Sequence, residues 1–219
     1  MATILCIETA TTNCSVAISV TGKVVALQED NNNQYSHAEK LHLFIEEVLK
    51  KASIKKSELQ AIAVSKGPGS YTGLRIGVSA AKGLCFALDI PLISISTLEA
   101  LSYQVKESDG LIVPMLDARR MEVYASVFSS SKIIIRKTEA KILNESSFTE
   151  YLKKGKAYFI GDGVDKFKNI CHHKNAVFIE NKLPSAKQMG FLAENKYKKS
   201  DIEDVAYFEP YYLKDFVTG

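Results

Sequence analysis

Three apolar, β-branched runs crowd into the first thirty residues: from about 3 to 9, from 14 to 20, and from about Lys23 to Gln28. Only Thr11-Thr12-Asn13 and a turn at Gly22 part them, so the chain opens as an antiparallel meander. A polar stretch from Asp30 to Tyr35 ends it. Ser36 then stands at an N-cap position with Glu39 three residues on, a capping box that predicts a helix to about Ala52. Ala38, Leu41, Ile45, Val48 and Leu49 form its apolar stripe. Phe44 widens that stripe and Leu43 falls on nearly the opposite side, more apolar surface than one sheet contact requires.

Residues 60 to 65 read as a buried strand. They lead through a glycine-rich turn into a helix from Thr72 to Leu88, a strand Leu92 to Ile95, and a helical stretch Thr97 to Lys106. A meander followed by helix, strand, helix, strand is the order of a ribonuclease-H-like, actin-type domain. The second half repeats it more weakly. Leu111 to Leu116, Glu122 to Phe128 and Ile133 to Thr138 suggest another meander; Glu145 to Lys153, Ala157 to Gly161 and Ser185 to Lys198 supply helix, strand and helix. The expected fold class is therefore α/β, with two ribonuclease-H-like (actin-like ATPase, ASKHA) lobes. Residues 1–106 form the first and 107–219 a smaller second, whose last helix is free to pack back on the first.

An apolar content of 46% in 219 residues fills ordinary globular cores. A formal charge of +3, with no polybasic tract, gives no sign of strong autonomous RNA binding. Cys6, Cys14, Cys85 and Cys171 lie far apart, mostly in apolar runs, and predict buried thiols rather than a disulfide framework. The apolar run that ends at Glu8 is far too short for a signal or membrane segment, so the expectation is a cytoplasmic chain that meets no membrane.

The most distinctive segment is Gly67-Pro68-Gly69-Ser70-Tyr71-Thr72-Gly73-Leu74-Arg75, between a strand and a helix. Such a turn can point backbone N–H groups at an anion. It is neither a Walker A loop nor a dinucleotide fingerprint, because the glycine spacings fit neither. A tight strand-to-helix turn with no ligand accounts for the same residues. Gly73, Gly77 and Ala81 recur every four residues on the following helix, a flat stripe where another helix can approach. Leu74, Ile76, Val78, Leu84, Cys85, Phe86 and Leu88 leave that helix apolar almost all round, which predicts burial on two sides and favours an obligate partner chain.

Together with the Ile7-Glu8-Thr9-Ala10 start, the Ser36 to Leu41 helix entry, Leu116-Asp117-Ala118-Arg119-Arg120-Met121-Glu122 and the closing Glu209-Pro210-Tyr211-Tyr212-Leu213, this loop resembles the TsaB (YeaZ) family over almost the whole chain. The resemblance implies a non-catalytic subunit in the synthesis of N6-threonylcarbamoyladenosine on tRNA. It would pair with and activate a TsaD-like catalytic subunit, be joined by a TsaE-like ATPase, reach tRNA through the complex, and form a homodimer when alone. It implies no cofactor of its own, with ATP or ADP at the interface with the ATPase. The pairing surface it implies is Ala38, Leu41, His42 and Ile45 on the first helix and Leu74, Gly77, Val78 and Ala81 on the second. Thr9, Thr11, Thr12, Gly67, Gly69, Ser70 and Thr72 would be a degenerate phosphate loop.

Catalytic relatives carry a His-x-x-x-His metal pair after the strand that corresponds to residues 91 to 95; here those positions are Thr97 and Leu101, and leucine cannot ligate. The acidic residue of their first hairpin is replaced at Thr12 and Asn13. His37 and His42 sit roughly 140° apart on a helix and cannot share an ion. His172-His173 beside Cys171 reads as polar surface, and no Gly-x-Ser-x-Gly context supports a protease. Asp117, Arg119, Arg120 and Glu122 are either a solvated hairpin tip or a polar recognition patch. The terminal tyrosines predict packing against a lobe rather than base stacking. The rival reading is an autonomous sugar-kinase-like or actin-like ATPase that holds nucleotide through Thr9 to Cys14 and Gly67 to Thr72; a purely structural homodimer is a third.

Overall fold

The computed structural model describes residues 2–31, 37–106 and 109–214. These divide into two compact units: residues up to Ala100 together with those from Pro184 on, and Leu101–Leu183.

In the first unit β1 (Thr3–Glu8), β2 (Cys14–Val20) and β3 (Lys23–Asp30) form the meander, and β4 (Ala61–Gly67) and β5 (Leu92–Ser96) extend it in parallel to β1, in the order β3-β2-β1-β4-β5. Register pairs Leu5 with Ile18 on one side and Ile62 on the other, so the period-2 alternation gathers Leu5, Ile7, Val16, Ile18, Ile62 and Val64 on one face. Two helices, α1 (His37–Ala52) and α2 (Tyr71–Leu88), cover that face with Leu41, Ile45, Val48, Val78, Ala81 and Cys85. Each such leucine or isoleucine contributes about 1.5–3 kcal/mol on burial. A short helix, α3 (Thr97–Ser102), follows β5 and stops four residues before the expected Lys106. The capping box expected at Ser36 lies outside the described residues.

The second unit repeats the plan. Its meander is β6 (Leu111–Asp117), β7 (Glu122–Phe128) and β8 (Ile134–Ile142); β9 (Ala157–Ile160) and β10 (Ala176–Ile179) add in parallel, in the order β10-β9-β6-β7-β8. The expected helix 145–153 shrinks to α4 (Thr149–Leu152), and α5 (Val164–Lys168) and β10 add to the elements expected. Phe148, Phe159 and Phe167 meet edge to face at 4.9–5.5 Å between centroids and form the centre of this core.

The chain then returns. A last helix, α6 (Met189–Lys198), packs on β1, β2 and β5 of the first unit, with Gly190 against Ser19 and Glu194 accepting from the Ala2 amide at 3.3 Å. The second lobe expected at 107–219 is thus corrected to Leu101–Leu183, because the residues from Pro184 on cover the first sheet's other face. All four cysteines are buried and free. Among the described residues, no helix is long and apolar enough to cross a membrane.

Candidate functional site

Open α/β sheets bind ligands at the C-terminal strand ends where the chain leaves two neighbouring strands in opposite directions. In the first unit that point lies between β1, which leads to β2, and β4, which leads towards β5 on the other side. The two segments that meet there are Thr9–Asn13 and Gly67–Thr72.

They meet in direct contact. The Ser70 amide donates to the Ala10 carbonyl at 2.7 Å, and the Thr9 hydroxyl donates to the Gly73 carbonyl at 2.8 Å. A Cβ on Gly69 would overlap the Ala10 carbonyl, one on Gly73 the Thr9 carbonyl, and one on Gly77 the Thr9 hydroxyl. These three glycines therefore face the β1–β2 turn, close enough to leave no room for a side chain. Ser70 caps α2, its Oγ accepting from the Gly73 amide at 3.3 Å. Gly67, at φ +107°, lies beneath Tyr211, whose amide donates to the Lys66 carbonyl at 2.7 Å. Tyr212 lies against Tyr71 with the rings tilted by 37°, and the Arg75 guanidinium lies 4.9 Å from the Tyr71 centroid. The closing tyrosines thus pack over the start of α2.

Glu8, at the end of β1, is fully buried. Its Oε1 accepts from the Ala10 amide at 2.7 Å and the Ser65 hydroxyl at 2.8 Å, while Oε2 has no hydrogen-bond partner among the described residues. Burial pushes its carboxyl up to about 7, against the lowering effect of those bonds. Thr11 is buried and its carbonyl meets His37 Nε2 at 2.7 Å; burial pushes the His37 imidazole below its ordinary range. Thr12 is half-buried beside Asn31, and Thr72 is exposed. Asn13 donates to the Pro184 carbonyl at 2.9 Å.

Most of the residues expected to pair with a partner do not lie on the surface of this chain. Leu41, Ile45, Leu74, Gly77, Val78 and Ala81 are buried inside the first unit, because they face its sheet or the Thr9 turn; only Ala38 and His42 are exposed. The outward face of α2 instead carries Ser79, Gly83 and Ala87, a second small-residue stripe with the same spacing of four. Open space lies above Gly83, Phe86 is 86% exposed beside it, and Leu43 of α1 is 58% exposed. The period is legible in the sequence but the face is not, since Gly73-Gly77-Ala81 and Ser79-Gly83-Ala87 look alike until the hairpin is placed.

Thr97 and Leu101 are fully buried, and among the described residues no three His, Cys, Asp or Glu groups could hold a metal ion.

Comparison with known proteins follows the same lines. A family model described as "TsaD: tRNA N6-adenosine threonylcarbamoyltransferase" matches residues 29–218. The fold of YeaZ from Pseudomonas aeruginosa superposes with a TM-score of 0.84 at 24% identity, covering 97% of this chain and all of that one. The tRNA threonylcarbamoyladenosine biosynthesis protein TsaB of Buchnera aphidicola subsp. Baizongia pistaciae is 31% identical over 211 residues, covering 91% of this chain and 93% of its own. The chain belongs to the TsaB family. As a TsaB-family protein it takes part in tRNA threonylcarbamoyladenosine biosynthesis. TsaB kinship extends to the transferase itself: the tRNA N6-adenosine threonylcarbamoyltransferase of Bacillus subtilis is 34% identical over 128 residues, 52% of this chain and 37% of that one.

Proposed function

We propose that this chain is a non-catalytic subunit of the tRNA N6-adenosine threonylcarbamoyltransferase assembly, pairing with and activating a TsaD-like catalytic chain. The observation that carries the reading is the outward face of α2. Ser79, Gly83 and Ala87 leave a flat track on which a second helix can lie close, and Phe86 stands beside it as an anchor, with Leu43 exposed on α1. A partner that shares this chain's fold can offer its own equivalent helices, giving a contact of near-twofold symmetry. The close packing of Gly69, Gly73 and Gly77 on Thr9 and Ala10 supports the non-catalytic part, since these glycines face the chain's own turn. The same helix face would close a homodimer when the partner is absent. A TsaE-like ATPase, with ATP or ADP, and tRNA join the pair in this reading.

Gly83→Arg and Phe86→Asp test it. Each is expected to weaken pairing with the co-expressed TsaD-like chain at least about a hundredfold, as loss of a buried anchor does. At concentrations where the lone chain is monomeric neither variant should lose more than about 1 kcal/mol of stability, and Gly83→Arg should gain up to about that much, because both positions face open solvent in the monomer. Undiminished co-purification of both variants would refute the pairing face. Micromolar, magnesium-dependent binding of labelled ATP by the lone chain would favour the autonomous ATPase instead.

A further inference from the structure

The β6–β7 turn carries two adjacent arginines in an unusual backbone state. Arg119 has φ +67° and Arg120 φ +48°, the left-handed region that glycine and asparagine fill in such turns. The surrounding structure holds them there. Arg119's amide donates to Asp117 Oδ1 at 2.6 Å, and the Ala118 and Glu122 amides close the turn at 3.1 Å each. Lys166, from α5, reaches Asp117 Oδ1 at 2.9 Å and the Glu122 carbonyl at 3.2 Å, tying the two sides together. Asp162 accepts from the Asp117 amide at 2.9 Å, and the Leu143 amide binds the Met121 carbonyl at 2.7 Å.

Both arginine side chains are nevertheless exposed. Among the described residues neither guanidinium has a carboxylate within ion-pair distance; Asp117 is taken by Lys166. Neighbouring elements enforce a backbone strain that brings the two guanidinium groups no carboxylate of their own, which points to a use outside the fold. We propose that Arg119 and Arg120 form a preset contact for the phosphodiester backbone of an RNA, each guanidinium forking onto one phosphate.

RNA fits better than a protein partner. Four charged groups, Asp117, Glu122, Asp162 and Lys166, surround the tip, against two large exposed apolar side chains, Met121 and, opposite Glu122 on β8, Ile142. Protein interfaces place their arginine anchors in apolar surroundings that shut out water, whereas phosphate contacts are polar and wet. The chain takes part in a tRNA modification, so such a backbone is at hand. The inference stands on the turn and on family membership, independent of the pairing face on α2.

The test uses a variant that relaxes the backbone while it removes the charge, Arg119→Asn with Arg120→Gly. A fluorescein-labelled tRNA transcript is titrated with the full chain, alone and mixed with its TsaD-like relative. Wild-type binding should weaken about tenfold in the variant. Its plot of log K against log salt should become shallower by about two, one for each phosphate no longer held. The melting temperature should rise by about 3 °C, since the strain is gone. Arg119→Lys with Arg120→Lys should restore most of the salt slope. Unchanged affinity and slope would overturn the proposal. So would intact RNA binding with weakened pairing, which would make the tip a protein contact.

Discussion

Gly73→Ala is expected to destabilise the chain by about 3 kcal/mol or more and to lower its melting temperature by about 10 °C. Alanine normally favours a helix over glycine by up to about 1 kcal/mol, so propensity alone predicts the opposite sign. Sterics decide. The new Cβ falls on the Thr9 carbonyl, a backbone atom in a turn whose neighbours, Ala10 and Thr11, are themselves bonded to Ser70 and His37 and cannot retreat. Gly83→Ala, further along the same helix and on another face, meets open space and should gain stability by up to about 1 kcal/mol. Thermal melts of the two variants side by side separate a helix start wedged against a turn from a generic effect of helical glycine. Equal shifts would mean that the β1–β2 turn does not lie on α2 as described.

Glu8→Gln should make the protein more stable at pH 8 by about 3 kcal/mol and leave it nearly unchanged at pH 4.5. The folded carboxyl titrates at about 7, raised from 4.5 by burial. A raised value means the fold binds the proton more tightly than the unfolded chain. The stabilisation it lends is therefore complete below about 4.5 and lost as pH rises through 7. That shift, at roughly 1.4 kcal/mol per unit, sets the size of the effect. Glutamine keeps an acceptor for the Ala10 amide and the Ser65 hydroxyl and carries no charge to desolvate. His37 works in the other direction. Its lowered value makes its share of stability complete above the usual imidazole range and lost as pH falls below it. Melting temperatures between pH 4.5 and 8 should thus lose their alkaline decline in the variant and keep the acid one. A variant that still weakens towards pH 8 would show that Glu8 is ionised in the fold without penalty.

The strands of the first unit are legible because each is a compact, β-branched run closed by a turn, and α1 because its apolar stripe recurs at helical spacing. The second unit is less so. Ala176–Ile179 is four half-buried residues, and Val164–Lys168 little more than one helical turn, both below the length at which periodicity speaks. Non-local relations are harder still. The sequence holds two stripes of small residues on α2, and only the position of Thr9 tells that Gly73 and Gly77 look inward while Ser79 and Gly83 look out. In the sequence Glu8 is one letter of a family motif. Its role as a buried, proton-holding group depends on Ser65, which is remote in sequence and adjacent only because β4 lies beside β1. The left-handed state of Arg119 and Arg120 contradicts local preference, and no pattern of hydrophobicity could report it.

The return of α6 to the first sheet makes that sheet's assembly depend on the direction of protein synthesis. Everything up to Ala100 leaves the ribosome before α6, whose last residue follows 98 positions later, Lys198 against Ala100. At roughly 5–20 residues per second, that interval is about 5–20 s. During it the sheet face that will meet Met189, Leu192 and Ala193 has no cover from its own chain, while the intervening residues can fold by themselves. A nascent chain stalled just short of Pro184 should therefore carry a finished second unit and a first unit that still attracts chaperones, and release of the residues through Lys198 should end that attraction.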